Sequence, residues 1–523
     1  MIRPPFRFLP CILLPLLLGV LQGAAPPPVE FPGFRTVETA ITARPVKGAA
    51  GASASQPGYL GIQLGVTAGK PTVSEIDPDS PAATAGLRAG DVLARIAGEA
   101  VGGPDDLRRV LAAKGAGAAV DLEAVRDGKG FVAKVELAGA SRPLPSDEGA
   151  GGGKGRGFDN RRARTWSKPV YRLAVVLIDY PDSKSNPAIK PKDWEDSLFS
   201  KGTYRDKSAT GQKVFGSMND HYLEQSYGTF RIEGKAFPHV LVSKNRAEYG
   251  KQGASRQALL TEALDLLLAR DGKKALEGFD GVFFMYSGKS MRVARGSLYW
   301  PHRATVRHEG KAWPYFICPE GGPTMYDISV LSHEFGHMVG LPDLYARPEN
   351  PGSEGLDRWC LMSNQTPRGR PQHMSAWCKE RLGWLTPTVI DPSVPQKLIL
   401  SPVYKSPKEC YKILAKPDGS EYFLLENRTA TGFDASLPAH GLLIWRVVRG
   451  KPMLEESHGI AGPAGPRSYP ALVPYPSTAN DSFTPFTVPS SRAQLAGGTP
   501  VHITNIRRLP DGRITFFVGY EFF

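Results

Sequence analysis

Two hydrophobic rhythms divide this chain. Val170 to Ile178 is an unbroken, β-branched apolar run, which predicts a strand buried on both faces. Asp280 to Tyr286 repeats that pattern after a turn, and Phe230 to Val242 reads as strands. Between them the period lengthens. Leu259, Leu260, Ala263, Leu266 and Leu267 mark an amphipathic helix over 256–269. Phe215, Met218, Tyr222 and Leu223 predict a helix over 214–226, and 194–199 a short one. Ile328, Leu331, Phe335 and Met338 form one stripe behind Asp327, a fitting N-cap. After about 390 the pattern shortens to β runs at 397–400, 411–415, 422–426 and 442–448. Val501 to Ile506 and Arg513 to Tyr520 close the chain around the turn Asp511-Gly512. This last part predicts a sandwich-like β module with a packing role.

Upstream the elements are shorter. Val73 to Ile76 is a strand, and a short helix and glycine turn lead through Asp91 into a strand ending at Ile96. A helix over 105–113 and strands over 120–125 and 131–137, joined at Asp127-Gly128, follow. Residues 140–167 are Gly-rich and read as a flexible linker. Residues 26–57, rich in Pro, Ala, Gly and Ser, read as a disordered lead. The expected division is therefore 1–25, 26–57, 58–139, 140–167, 168–390 and 391–523, a multidomain α+β chain.

The first 25 residues stand apart. Arg3 and Arg7 precede an apolar run from Leu9 to Leu21, and Gly23-Ala24-Ala25 supplies small residues for cleavage. This is the pattern of a secretory signal peptide, and the run is short for a membrane span. No other run of 18 apolar residues occurs, so the mature chain is expected to carry no span and to be secreted, periplasmic or extracellular. The net charge of +13 falls to +11 without Arg3 and Arg7. The main basic cluster lies in the linker at 154–164, and no nucleic-acid motif accompanies it, so no nucleic-acid partner is expected. Without Cys11, four cysteines remain: Cys318, Cys360, Cys378 and Cys410. In an exported chain they admit disulfides, with three connectivities, as well as four buried thiols.

The chemistry concentrates at Ser332-His333-Glu334-Phe335-Gly336-His337-Met338-Val339-Gly340-Leu341-Pro342-Asp343. Residues four apart share a helix face, so His333 and His337 can hold one ion, with Glu334 flanking them as a general base. H-E-x-x-H alone also occurs on ordinary surface helices. Here Gly340 can end the helix in a left-handed turn and Pro342 prevents its resumption. Asp343 then returns as a candidate third ligand, an oxygen donor that zinc accepts. His302 and His308 lack ligand spacing and read as structural. Asp434 and His440 fall on loops. No G-x-S-x-G elbow supports a serine hydrolase.

Two resemblances extend this reading. Tyr59-Leu60-Gly61-Ile62 and the run from Ser80 to Leu93 resemble a PDZ domain of bacterial exported proteases. Backbone N–H groups of Tyr59, Leu60, Gly61 and Ile62 would receive a peptide carboxylate while the peptide adds as a strand. The metal stretch, Tyr222 to Gly228, Trp300-Pro301-His302, Trp359 to Ser363, Ser375 to Lys379, Leu382 to Leu385, Glu421 to Arg428 and Gly441 to Trp445 resemble the immune inhibitor A family of secreted bacterial metallopeptidases. The resemblance implies a zincin fold, zinc on His333, His337 and Asp343, Glu334 as base, and Met362 in a methionine turn beneath the metal. It also admits Ca²⁺, although the chain has no dense Asp loop for it. One departure stands out: Arg446-Val447-Val448-Arg449 follow Trp445 where relatives are expected to carry an acidic residue.

The expected function is zinc-dependent hydrolysis of peptide bonds in proteins, with a PDZ domain recruiting peptide or protein ligands. The alternative is an inactive PDZ-containing binding protein on a peptidase scaffold.

Overall fold

A computed structural model describes residues 31–43, 60–76, 81–114, 118–137, 165–251, 254–291, 297–344, 354–366, 369–459, 469–495 and 498–520. The expected signal peptide and the body of the linker lie outside them.

The first sheet joins β1 (Ile62–Thr67), β2 (Lys70–Ile76), β3 (Val92–Ile96), β4 (Glu99–Ala100), β5 (Ala119–Arg126) and β6 (Lys129–Glu136). Its order is β1-β2-β3-β5-β6, with β4 on β3. Helices α1 (Pro81–Thr84) and α2 (Pro104–Lys114) accompany it. Leu60, Val73, Leu93, Ile96, Leu107, Val110, Leu122 and Val135 fill its core. β1 is an edge strand, so one row of its backbone groups is left for another chain to pair.

The second sheet has the order β10-β11-β9-β7-β8. Its strands are β7 (Val170–Asp179), β8 (Arg231–Leu241), β9 (Gly281–Tyr286), β10 (His302–His308) and β11 (Lys311–Pro319). β7 runs parallel to β8 and β9, and β9 runs parallel to β11. β10 is antiparallel to β11. Successive strand residues point to opposite faces, and both faces are covered, which explains the unbroken apolar runs. Ala174, Val176, Ile178, Val282 and Phe284 face α6 (Arg256–Asp271), whose Leu259, Leu260, Ala263, Leu264 and Leu267 cover them. Leu173, Val175, Leu177, Phe283, Met285 and Phe316 face the other way, toward α7 (Ile328–Met338).

On that second side also lie α3 (Pro191–Phe199), α4 (Met218–Gln225) and, beyond α7, α8 (Ala376–Arg381). The short α5 (Arg246–Tyr249) adjoins α6. α4 starts four residues later than the periodicity predicts. Gly216 adopts a φ of +144°, and Ser217 accepts the Asp220 N–H as N-cap.

Two sheets complete the chain. One has the order β12-β14-β15-β16-β17, and the other β13-β19-β18. The strands are β12 (Thr388–Ile390), β13 (Gln396–Leu400), β14 (Tyr411–Leu414), β15 (Glu421–Arg428), β16 (Gly441–Val448), β17 (Lys451–Glu455), β18 (Ile503–Arg508) and β19 (Ile514–Val518). They share a core of Leu398, Leu400, Ile413, Phe423, Leu425, Ile444, Ile503, Phe516 and Val518. The opposite face of β15 and β16 presents Leu424, Leu443, Trp445 and Val447 to the core around α7. The described residues of 168–390 and the β module are therefore packed as one body.

The lead departs from expectation. Residues 31–43 lie along this module, with bridges from Arg35 to Leu398 and from Thr42 to Ile390. Gln396 exchanges hydrogen bonds with the Ile41 backbone at 2.9 and 3.1 Å, and Val37 enters the shared core. Composition predicted disorder because it reports a segment's own burial, not the edge it meets.

Of the two alternatives left open for the cysteines, the structure has the buried thiols. Cys318, Cys360, Cys378 and Cys410 are buried free thiols, each inside the core around α7. Cys360 and Cys378 approach to 3.8 Å between sulfurs without a bond.

Candidate metal centre

α7 carries the centre. Asp327 caps it, accepting the Ser329 N–H at 2.7 Å. Phe335 and Leu331 anchor its inner face, and Phe335 meets Tyr171 and Tyr222 edge-on. The helix ends in a Schellman motif. The Leu341 N–H bonds back to the Gly336 carbonyl at 3.1 Å, and the Gly340 N–H to the His337 carbonyl at 3.2 Å. Gly340 takes the required positive φ of 99°. This reversal brings Asp343 under the two histidines.

His333 Nε2 lies 3.0 Å and His337 Nε2 3.2 Å from Asp343 Oδ1. These are the three residues whose donor atoms fall together as a metal-holding group among the described residues. All three are buried. The remaining ring nitrogens are held by carbonyls. His337 Nδ1 donates to Leu341 O at 2.7 Å, and His333 Nδ1 to Leu361 O at 2.8 Å. The Gln365 amide stands beside the His333 contact and donates to Ser363 O. A carbonyl only accepts, so each Nδ1 is the donor there and each Nε2 is the ring nitrogen turned toward Asp343. Two Nε2 atoms and a carboxylate oxygen meeting at 3.0 and 3.2 Å form a convergent donor group that one cation can share. The donor set, two imidazoles and one carboxylate, suits zinc.

Glu334 is also buried, and its Oε2 has no hydrogen-bond partner among the described residues. Such an atom costs about 1–3 kcal/mol. Its charge is felt by Cys318 on β11, whose thiol is pushed up by burial and then by Glu334.

Met362 lies fully buried beneath α7. A Cβ on Gly336 would stand 2.4 Å from Met362 Sδ and 3.1 Å from its Cε. The Met362 carbonyl also accepts the Leu344 N–H at 2.7 Å, just past Asp343. Gly336→Ala, ordinarily stabilising by about 1 kcal/mol in a helix, is expected to destabilise by about 1–3 kcal/mol here through overpacking. Chemical denaturation of the purified variant measures the sign.

The other candidates sit elsewhere. His302 on β10 contacts Trp300 O and Tyr315 OH, and His308 pairs with Asp265 at 2.7 Å. Asp434 is buried and ion-paired to Arg428, while His440 is exposed. Leu60 is buried, its carbonyl accepting from Ala82, and Gly61 has a positive φ. Ile62 opens β1, and Tyr59 lies outside the described residues. Arg446 is buried between Glu421, at 2.5 Å, and Glu455, which explains a base at the position where an acid was expected.

Sequence reasoning missed a buried polar network beside the centre. His373 contacts Glu224 at 2.8 Å and Asp434 at 3.4 Å, and Lys379 Nζ lies 3.3 Å from its Nδ1. Arg428 grips Asp434 with two hydrogen bonds of 2.6 and 2.7 Å and reaches Glu426 at 3.2 Å. Burial pushes Lys379 down to about 8. Burial would raise the Asp434 carboxyl, but Arg428 and His373 hold it well below the carboxylate range. Fully buried His221 is pushed down to about 3 by burial, so it is neutral, donating to Gln372 O and accepting from Gln225. One signal was available: Glu426 and Arg428 share a face with Leu424 on a strand whose middle, Tyr422 to Leu425, is apolar.

Residues 58–137 match the PDZ domain model, and residues 293–385 match that of the immune inhibitor A peptidase M6 catalytic domain. The chain is 26% identical over 283 residues to the pre-pro-metalloprotease PrtV of Vibrio cholerae serotype O1 (strain M66-2), covering 41% of this chain and 30% of PrtV. It is 24% identical over 257 residues to immune inhibitor A of Bacillus thuringiensis subsp. alesti, covering 38% of this chain and 37% of that protein. It is 43% identical over 70 residues to the magnetosome formation protease MamE of Paramagnetospirillum magneticum, covering 13% and 10%. The chain thus spans about a third of the length of the metalloproteases it matches. No helix among the described residues is long and apolar enough to cross a membrane. With the two histidines of α7 and the Asp343 carboxylate just past it converging inside the matched segment, the chain carries a domain of the immune inhibitor A peptidase M6 type, preceded by a PDZ domain.

Proposed function

We propose that this protein is an exported zinc-dependent endopeptidase whose PDZ domain recruits peptide or protein ligands. The convergence of His333, His337 and Asp343 beside buried Glu334, whose Oε2 has no hydrogen-bond partner among the described residues, carries this reading. His333, His337 and Asp343 would hold the ion. Bound there, zinc supplies Lewis-acid activation of a water and of the scissile carbonyl. Glu334 takes the proton from the attacking water and passes it to the leaving amine. The Leu361 and Leu341 carbonyls fix both imidazoles, as outer partners of a metal site do. Met362 supports the floor. In the PDZ domain, the edge position of β1 and the turn at Gly61 favour strand addition of a peptide. The signal-peptide pattern supports export, and the shared core of the last two sheets supports a sandwich-like module.

Metal analysis paired with a casein digest tests the assignment. The expected result is about one zinc per chain and cleavage abolished by a chelator and restored by zinc. A folded protein that binds peptides but takes up no zinc and cleaves nothing would overturn it in favour of a binding protein on a peptidase scaffold.

A further inference from the structure

We propose that the C-terminal β module positions the metal centre, with Asp434 and His373 as positioning residues that act through the Leu361–Met362 turn. The inference rests on the zinc reading only for its effect on metal affinity. A continuous series of contacts carries it. Arg428 on β15 holds Asp434 at 2.6 and 2.7 Å. Asp434 Oδ1 accepts the His373 N–H at 2.9 Å. The His373 carbonyl accepts the Leu361 N–H at 3.2 Å. The Leu361 carbonyl accepts from His333 Nδ1 at 2.8 Å. Arg428 also reaches the turn directly, donating to Trp359 O at 3.2 Å. Gln372 closes the same hairpin, donating to Cys360 O at 3.2 Å and Asn364 O at 2.7 Å and accepting from Thr366.

These groups are almost wholly buried, and Arg428 is fully so. An apolar contact would tolerate sliding of the turn. Directional bonds between charged groups define one register, the use for which buried ionic groups are best attested. The same strands offer an internal control. Arg446 and Glu455 form a buried ion pair in the module, and the Arg446 guanidinium lies over Phe423, on the face turned away from α7.

The test compares Asp434→Asn, His373→Gln and Glu455→Gln in the full chain. The His373 ring adds its own contact to the series, Nδ1 lying 3.4 Å from Asp434 Oδ2, so His373→Gln loosens the link while leaving the Arg428–Asp434 pair whole and keeps the question open should Asp434→Asn fail to fold. Two readouts are used: zinc affinity by chelator competition, and deuterium exchange of peptides containing Leu361. The first two variants are expected to lose about tenfold in zinc affinity and to exchange faster at 360–366. Glu455→Gln is expected to change neither, even where it lowers the melting temperature. Unaltered exchange and affinity in both positioning variants, or equal changes in Glu455→Gln, would overturn the inference. If the wild-type chain takes up no zinc, the functional reading fails, and the exchange arm decides the coupling by itself.

Discussion

Glu334→Gln is expected to lower kcat/KM for peptide cleavage by about 10³-fold, within the 10²- to 10⁴-fold that a positioned general base contributes. The amide has the same shape but cannot take a proton. Zinc content is expected to stay unchanged, because the candidate ligands are His333, His337 and Asp343. The loss is expected in kcat, with KM little altered, since proton transfer occurs only in the transition state. Stability points the same way. Glu334 Oε2 is buried without a partner, so replacing a desolvated carboxylate by a neutral amide is expected to leave the melting temperature equal or higher. Peptide hydrolysis measured alongside metal analysis checks both parts. Full turnover in a zinc-loaded variant would sink the general-base role.

The centre was legible in sequence because its geometry is local. Spacing alone puts His333 and His337 on one face, and Gly340 with Pro342 foretells the reversal that returns Asp343. The strands of the second sheet were legible for a related reason. A strand buried on both faces needs apolar residues without alternation, and β7 and β9 have them. What escaped depends on contacts between distant segments. Residues 31–43 have no core of their own and become ordered by the edges of β12 and β13. The network of Glu224, His373, Lys379, Arg428 and Asp434 draws on three separated stretches. Glu224, Lys379 and Arg428 fall inside motifs that carry the family resemblance, but nothing in their spacing says that they meet one another. Cysteine count allowed pairings, yet burial in one apolar core leaves all four as thiols.

Asp343→Ala tests the third ligand. A zinc site worth about 10–16 kcal/mol over four ligands assigns about 3 kcal/mol to each, so zinc affinity is expected to fall by about 10²-fold. At a fixed zinc concentration well above the dissociation constant, the stabilisation conferred by zinc then shrinks by about 2.7 kcal/mol. Without zinc the carboxylate still contacts both rings. The Asp343 carboxylate lies within 3.0 and 3.2 Å of two imidazole nitrogens turned toward it. Removing it forfeits those contacts and leaves a small cavity, so the metal-free variant is expected to melt below metal-free wild type, and the zinc-dependent increment is what reports the ligand role. Asp343→Asn separates charge from packing: it keeps the shape, loses the anionic donor, and is expected to resemble Ala in zinc affinity. Calorimetric melting with and without zinc, on all three proteins, gives these values. Undiminished zinc stabilisation in both variants would remove Asp343 from the ligand set. His302 and His308 are poor substitutes, since β10 holds them against Tyr315 and Asp265. The carboxylate is therefore what distinguishes this centre from an H-E-x-x-H helix with two histidines alone.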